Sequence, residues 1–314
     1  FGGVDYWQDP GRPSVTGSVA GFLLVDKPAG WTYHDVVAKV RSLLKIKKVG
    51  HAGTLDPMAT GLVVVGLGRA TRLLRFVQAA PKEYLARAVF GVATDSLDAD
   101  GAILGRTPME VAPSDVEAVM TRFVGTIAQV PPMVSARKVG GRKLYELARQ
   151  GIEVEREARD VHIYRLDLID FAPSSYPEIV FRTVCSTGTY VRTLGDDIAQ
   201  ALGGRAHLSA LRRVRNGSLH VDDALGMAEI EAAVADGSIA GRFLTPRAGL
   251  PDLPETIVGD DVAAGIRNGL SFPAAALEAD LPESGPIRIV DSSGSLAAVY
   301  RIETGKAVPE VVLA

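Results

Sequence analysis

The sequence predicts an α+β fold followed by a small domain of β-strands, and three observations carry that prediction. Over the first 240 or so residues, strand-like apolar runs are interspersed with stretches whose apolar residues recur at helical spacing. Residues 245–256, "TPRAGLPDLPET", hold three prolines and no apolar period, as a boundary would. The residues beyond them read as short strands and turns. A length of 314 residues fits this division, since roughly 150 residues per domain gives about two domains. The expected parts are a flexible Gly/Pro-rich tail over 1–20, a main domain over 21–248 and a C-terminal domain over 249–314.

The elements follow in order. Phe22 to Val25 reads as a strand, ended by a turn around Pro28 and Gly30. Thr32 stands three residues before Asp35, a capping-box pattern that opens a helix. Val36, Val37, Val40, Leu43 and Leu44 form its apolar stripe, and Lys39, Arg41 and Lys45 face the other way, followed by Lys47 and Lys48. "GLVVVGLG", 61–68, is apolar on both faces, as a central strand is. "KEYLARAVFGVAT", 82–94, alternates like one strand, and "DSLDADG" follows as an acidic turn. Ser114, with Glu117 three residues on, is the expected N-cap of a helix whose stripe is Val116, Val119, Met120 and Phe123. Around 129–160 the chain changes character: Arg137, Lys138, Arg142, Lys143 and Arg149 stand among Met133, Leu144 and Tyr145, as in an excursion from the main body. "DVHIYRLDLIDF" and "PEIVFRTVC" are strand-like, and the next helix turns Val191, Leu194, Ile198 and Leu202 inward and stops at Gly203. "PIRIVDSSGSLAAVYRIE" reads as a hairpin around Ser-Gly.

Composition narrows the classes. Hydrophobic content is 47% and charged content 23%, ordinary for a globular protein and against wholesale disorder. The net charge of −3 divides unevenly: from Leu250 onward ten acidic residues face four basic ones, so that part is −6 and the rest +3. A mildly basic body points weakly to a polyanionic partner. The single cysteine, Cys185, permits no internal disulfide, so a reducing, cytoplasmic setting is expected. The first residues lack a basic start and an apolar core, so no secretory signal is expected there. The apolar runs are too short to span a bilayer as helix.

Chemistry concentrates in "VGHAGTLDPMATGLVVVGLG", 49–68, where one carboxylate, Asp56, lies among small residues. A metal site needs several ligands, and His51 is the one other candidate close by. The glycines lack the G-K-[ST] ending of a phosphate loop, and no G-x-S-x-G motif is present. Asp before Pro is common in turns, so on composition alone a plain turn aspartate is the stronger reading and a nucleophile the competing one. Small residues that let a ligand approach the backbone favour the second.

"HAGTLDPMATGLVVVGLGRATRL" resembles the catalytic motif of the TruB family, the bacterial tRNA pseudouridine-55 synthases. "VDKPAGWT", "KEYLARAVFG", "QVPPMVSARKVGGRKLYELARQGIEVEREAR", "CSTGTYVRTLGDDIAQALG" and "AHLSALRR" are similar to further family motifs, in family order from about Gly21 to Arg213. The resemblance implies a pseudouridine synthase core on a mostly antiparallel sheet with flanking helices, an RNA-gripping insertion at about 129–160 and a PUA-like C-terminal domain. The acidic charge of that domain is a poor fit to phosphate binding.

By the same resemblance, Asp56 attacks the target uridine of a tRNA T-loop, paired with Arg192. Tyr84 stacks on the flipped uracil and, as a catalytic residue, sits where C5 must lose its proton, a general-base role; Tyr190 and Leu211 line the substrate pocket, and His51 packs into the loop that the base has left. Lys27 and Pro28 support the active-site loop. Lys39, Lys45, Lys47, Lys48, Arg137, Lys138, Arg142 and Lys143 are candidates for RNA contact. No cofactor and no metal are implied, the partner is the tRNA T-arm, and a monomer is expected. A guide-RNA-dependent synthase and a tRNA-folding chaperone with secondary catalysis are the alternatives. Tyr33 departs from the family, which usually has a small hydroxyl residue there.

Overall fold

The computed structural model describes residues 19–134, 138–139, 141–143, 150, 152, 154–277 and 281–313. The expected tail lies almost wholly outside them, as do Arg137 and Arg149 of the expected insertion.

The main body contains β1 (Ala20–Lys27), α1 (Tyr33–Leu44), β2 (Val49–His51), β3 (Thr60–Gly68), α2 (Leu74–Ala79), β4 (Lys82–Phe90), β5 (Val92–Thr94), β6 (Ile103–Arg106), α3 (Pro113–Met120) and β7 (Gly125–Gln129). After the short pair β8 (Lys138–Val139) and β9 (Arg142–Lys143) come β10 (Arg159–Ala172), β11 (Glu178–Cys185), α4 (Val191–Ala201), β12 (Ala206–Asn216), β13 (Leu219–His220) and α5 (Met227–Ala235). Nine of these strands form one sheet in the order β1-β3-β12-β4-β11-β10-β7, with β2 beside β3 and β13 beside β12. Its pairings are antiparallel except β12 with β3. That parallel contact depends on Gly61: a Cβ there would lie 2.3 Å from the carbonyl oxygen of Arg213.

The double-sided apolar pattern of β3 has a direct cause. Val63, Val65 and Leu67 join the core under α1, α3, α4 and α5, while Leu62 and Val64 join a second core with Phe22, Leu73, Leu74 and Phe76. The capping box of α1 is present, with Thr32 Oγ1 accepting from the Asp35 amide. Two local expectations are corrected. The N-cap of α3 is Ala112, with Pro113 in the first turn and the Asp115 carboxylate accepting from the Ala112 amide; Ser114 lies inside the helix. The stretch 82–94 is two strands, because Gly91 takes φ +82° and breaks the alternation.

The last part comprises β14 (Glu255–Ile257), α6 (Asp260–Arg267), β15 (Phe272–Pro273), β16 (Gly285–Val290), β17 (Leu296–Glu303) and β18 (Lys306–Val312). They form a separate sheet in the order β14-β16-β17-β18-β15. α6 covers one side through Ala263 and Ile266, packed on Ile287, Ile289 and Tyr300. Val290, Leu296, Val299 and Val311 instead complete the second core of the main body. The proline-rich stretch is anchored: Arg247 pairs with Glu255 (2.6 Å), and Arg288 donates to the carbonyls of Arg247 and Leu253 (both 3.0 Å).

Candidate active site

Asp56 sits in the loop between β2 and β3. Its carbonyl accepts from the Ala59 amide (3.1 Å), so the Asp-Pro turn exists as backbone. Its side chain is used elsewhere. The loop is held from below by Lys27, which is 0% exposed at the end of β1. The Lys27 ammonium donates to the carbonyls of Pro28 (3.0 Å), Trp31 (2.6 Å) and Pro57 (3.1 Å). Burial lowers its pKa to about 8, against the opposing pull of Asp56. Lys27 therefore spends its donors on backbone, a bracing geometry.

Arg192, in the first turn of α4, is 2% exposed. Its guanidinium is divided among three elements rather than forked onto one carboxylate. Nε lies 2.9 Å from Asp56 Oδ2; one Nη meets Asp98 Oδ2 (2.9 Å) and the Ser96 carbonyl (2.5 Å); the other donates to the Val134 carbonyl (2.8 Å). Asp98 comes from the stretch read as an acidic turn, and its role at the site was missed. One feature marked it in the sequence, a carboxylate between short apolar residues, and that is too common to single it out. The turn brings it inward because Leu97 adopts φ +62° and the Leu208 amide of β12 bonds to the Leu97 carbonyl (3.0 Å). Ser96 Oγ holds the other Asp98 oxygen (2.5 Å).

Burial pushes the Asp56 carboxyl above the usual carboxylate range, and Asp98 adds to the rise; Arg192 and Lys27 oppose it. A third of the Asp56 side chain, 32%, remains open to the cleft. Burial and one fixed guanidinium therefore pull the carboxyl in opposite directions, and burial has the larger effect.

That opening leads into a cavity of about 300 Å³ lined by Asp56, Tyr84, Tyr190, Arg192 and Leu211, together with Lys82, Arg213 and the 186–189 turn. The sheet explains the grouping. On β4 and β12, Tyr84 stands opposite Arg213 and Ala86 opposite Leu211, so Tyr84 and Leu211 share one face. Burial raises the Tyr84 pKa, with Arg213 opposing, so its ring is a neutral phenol at physiological pH. Tyr190 precedes α4, and the Gln129 side chain bonds both its amide (2.8 Å) and its carbonyl (3.1 Å). Lys82 donates to the carbonyls of Gln78 and Ala80 at the end of α2, and burial lowers its pKa to about 8.

His51 lies at the end of β2 with Nδ1 3.1 Å from the Gly53 carbonyl. The Tyr33 ring stands between His51 (centroids 4.2 Å apart) and His34 (4.1 Å), which gives the unexpected tyrosine a stacking role. Of the expected RNA contacts, Lys45, Lys47 and Lys48 are exposed beside α1. Lys39 is tied to Glu231 of α5 at 2.5 Å. The backbones of Lys138, Arg142 and Lys143 lie in the β8–β9 pair; their side chains, and Arg137, are outside the described residues.

The chain matches two family models: TruB family pseudouridylate synthase (N terminal domain) over residues 41–191, and tRNA pseudouridylate synthase B C-terminal domain over 192–247. It is 44% identical over 287 residues to the tRNA pseudouridine synthase B of Geobacillus thermodenitrificans, covering 89% of this chain and 94% of that one. The corresponding protein of Thiobacillus denitrificans is 40% identical over 297 residues, 95% and 97% of the two chains. Among solved structures, a Cbf5-Nop10-Gar1 complex matches with TM-score 0.73 at 25% identity, covering 94% of this chain and 84% of that one. With Asp56, Arg192, Tyr84 and Leu211 gathered at one cavity, and with relatives similar along nearly their whole length, the chain belongs to the TruB family of pseudouridylate synthases.

Proposed function

We propose that this protein isomerises the T-loop uridine at position 55 of tRNA to pseudouridine, acting without a guide RNA, with Asp56 as the nucleophile. The observation that carries this is the Asp56–Arg192 pair at the mouth of a cavity of about 300 Å³, near the lower end of sizes usual for small-molecule sites. The target base leaves its stack to enter, and stacking on Tyr84 offsets the few kcal/mol this costs. Asp56 is oriented by the Arg192 guanidinium at 2.9 Å, and a carboxylate can carry a covalent adduct. The raised pKa of Tyr84 argues for a stacking phenol rather than a phenolate base.

Tyr33 and His51 form the stacked pair that meets the vacated loop, and Lys45, Lys47 and Lys48 supply phosphate contacts. Relatives at 40–47% identity are named tRNA pseudouridine synthase B, whereas the likeness to H/ACA complexes stands at 23–24%; this favours tRNA as the direct substrate. The test maps pseudouridine in bulk tRNA treated with the protein. A new pseudouridine at position 55 is expected, and Asp56→Ala should abolish it, by ~10⁴-fold or more, while tRNA binding survives. Modification elsewhere would refute the site, and full activity of the variant would refute the nucleophile.

A further inference from the structure

Arg213 is the least explained charge in the molecule. It is 1% exposed, and Nε donates to the Leu62 carbonyl at 2.7 Å. Nη2 is sealed from solvent and has no hydrogen-bond partner among the described residues. Its neighbours on β12 behave differently: Arg212 pairs with Asp26 at 2.7 Å and Arg215 approaches Glu83 at 4.0 Å. Arg213 makes no ion pair among the described residues. A buried donor without a partner costs about 1–3 kcal/mol, more when charged.

The surroundings indicate the use. Arg213 lines the same cavity as Asp56 and interacts with the hydroxyl of Tyr84. The flanking strand positions are also short of partners: Thr183, opposite Tyr84 on β11, has an unpaired buried hydroxyl, and Asn216, opposite Lys82 on β12, has an unpaired amide. Lys82 adds a second cation, and Arg213 and Lys82 feel each other's charge. The cavity is therefore bipolar. It is lined by the Asp56 carboxylate and by a guanidinium that has no ion-pair partner among the described residues.

We propose that Arg213 stabilises, through its fixed positive charge, the negative charge that develops on the uracil ring when the N1–C1′ bond breaks. With Asp56 bonding to C1′, the pair of the N1–C1′ bond passes to the ring and spreads over the carbonyl oxygens. C5 then forms its bond to C1′ as the Asp56–C1′ bond breaks and returns its pair to the carboxylate. C5 loses its proton to water and N1 gains one, so the product is an isomer and no oxidant or reductant enters. A buried, fixed cation with no ion-pair partner among the described residues is preorganised for that transient anion. The inference rests on the assignment of this cavity to the target uridine.

The test uses T-arm RNA with uridine or 5-fluorouridine at the target position and follows N1–C1′ cleavage in a single turnover. Turnover of uridine by the unaltered protein checks the assignment itself. Arg213→Lys and Arg213→Gln should slow uridine by on the order of 10²–10³-fold with RNA affinity unchanged. Fluorine stabilises the ring anion, so the same variants should lose clearly less on 5-fluorouridine. Equal losses on the two substrates, or rates within about twofold of the unaltered protein, overturn the proposal. Should neither variant fold, Asp56→Asn protein bound to RNA carrying 5-nitrouridine answers instead. The ring should ionise at lower pH in the complex than in free RNA, as read by absorbance; an unchanged or raised pKa overturns the proposal.

Discussion

Arginine is used in opposite ways at the two ends of this molecule. In the cleft, Arg192 is buried and ties Asp56, Asp98 and the Val134 carbonyl into one arrangement. At the C-terminal sheet, Arg69, Arg72 and Arg75 lie exposed along one face of the turn and helix after β3. They reach the carbonyls of Leu313 (3.0 Å) and Val312 (2.6 Å) and the carboxylate of Glu310 (2.9 Å). Both sets join separate pieces of chain. The difference is solvent. A buried guanidinium sets the charge state of what it touches, whereas an exposed one competes with water and contributes little.

The largest effect should come from Arg192. Arg192→Gln removes the largest influence opposing the rise of the Asp56 pKa and leaves Asp56 near Asp98. Activity should fall on the order of 10²–10³-fold, and the acid limb of kcat/KM should move to higher pH. Breaking a buried pair costs about 3–5 kcal/mol, which urea unfolding would register. An unshifted pH limb would mean that Arg192 does not govern Asp56. Asp98→Asn should act more mildly, because Arg192 keeps Asp56, the Ser96 carbonyl and the Val134 carbonyl. A loss of about 10–100-fold in kcat with little change in KM is expected. A loss as large as that of Arg192→Gln would show that orientation of the guanidinium, rather than its charge, is limiting.

The sequence made the cleft legible where local pattern and local geometry coincide. The capping box at Thr32, the two-sided strand at 61–68 and the helix stop at Gly203 are each set by neighbours in the chain. Ordered motif resemblance singles out Asp56, Arg192, Tyr84 and Leu211, which line one cavity, whereas composition alone favours a turn aspartate at Asp56. Asp98 and Arg213 were not found. Asp98 reaches Arg192 through a left-handed Leu97, and Arg213 reaches the Leu62 carbonyl from its place opposite Tyr84 on the neighbouring strand. Both depend on pairings across more than 90 residues, which no local window contains. Likewise, nothing in the sequence around Val290, Leu296, Val299 and Val311 says that they finish a core belonging to the main body.

Lys27 lies between the two uses of charge: buried like Arg192, yet bonded only to backbone. Lys27→Met should leave the Pro28, Trp31 and Pro57 carbonyls short of a donor and cost about 1–3 kcal/mol. The pH dependence carries the sharper test. The folded pKa is about 8 against an ordinary 10.5, so between those values the unfolded chain binds more protons. Stability should therefore rise with pH across that window, and Lys27→Met should flatten the rise in part, leaving the share due to Lys82, whose pKa is also about 8. An identical slope in the variant would show that Lys27 is not desolvated as its burial implies.

The smallest effect should come from the exposed row. Arg72 donates to the Val312 carbonyl from a surface position, so Arg72→Ala should cost less than about 1 kcal/mol. The C-terminal sheet is held by something larger. Val290, Leu296, Val299 and Val311 are buried against Leu73, Leu74 and Phe76, and burying one such side chain contributes about 1.5–3 kcal/mol. Val299→Ala should therefore destabilise more than Arg72→Ala, and neither should change the single-turnover rate on T-arm RNA. If Arg72→Ala proved the more damaging in urea unfolding, the sheet would be docked by its arginine hydrogen bonds, and exposed and buried guanidinium would differ less than burial predicts.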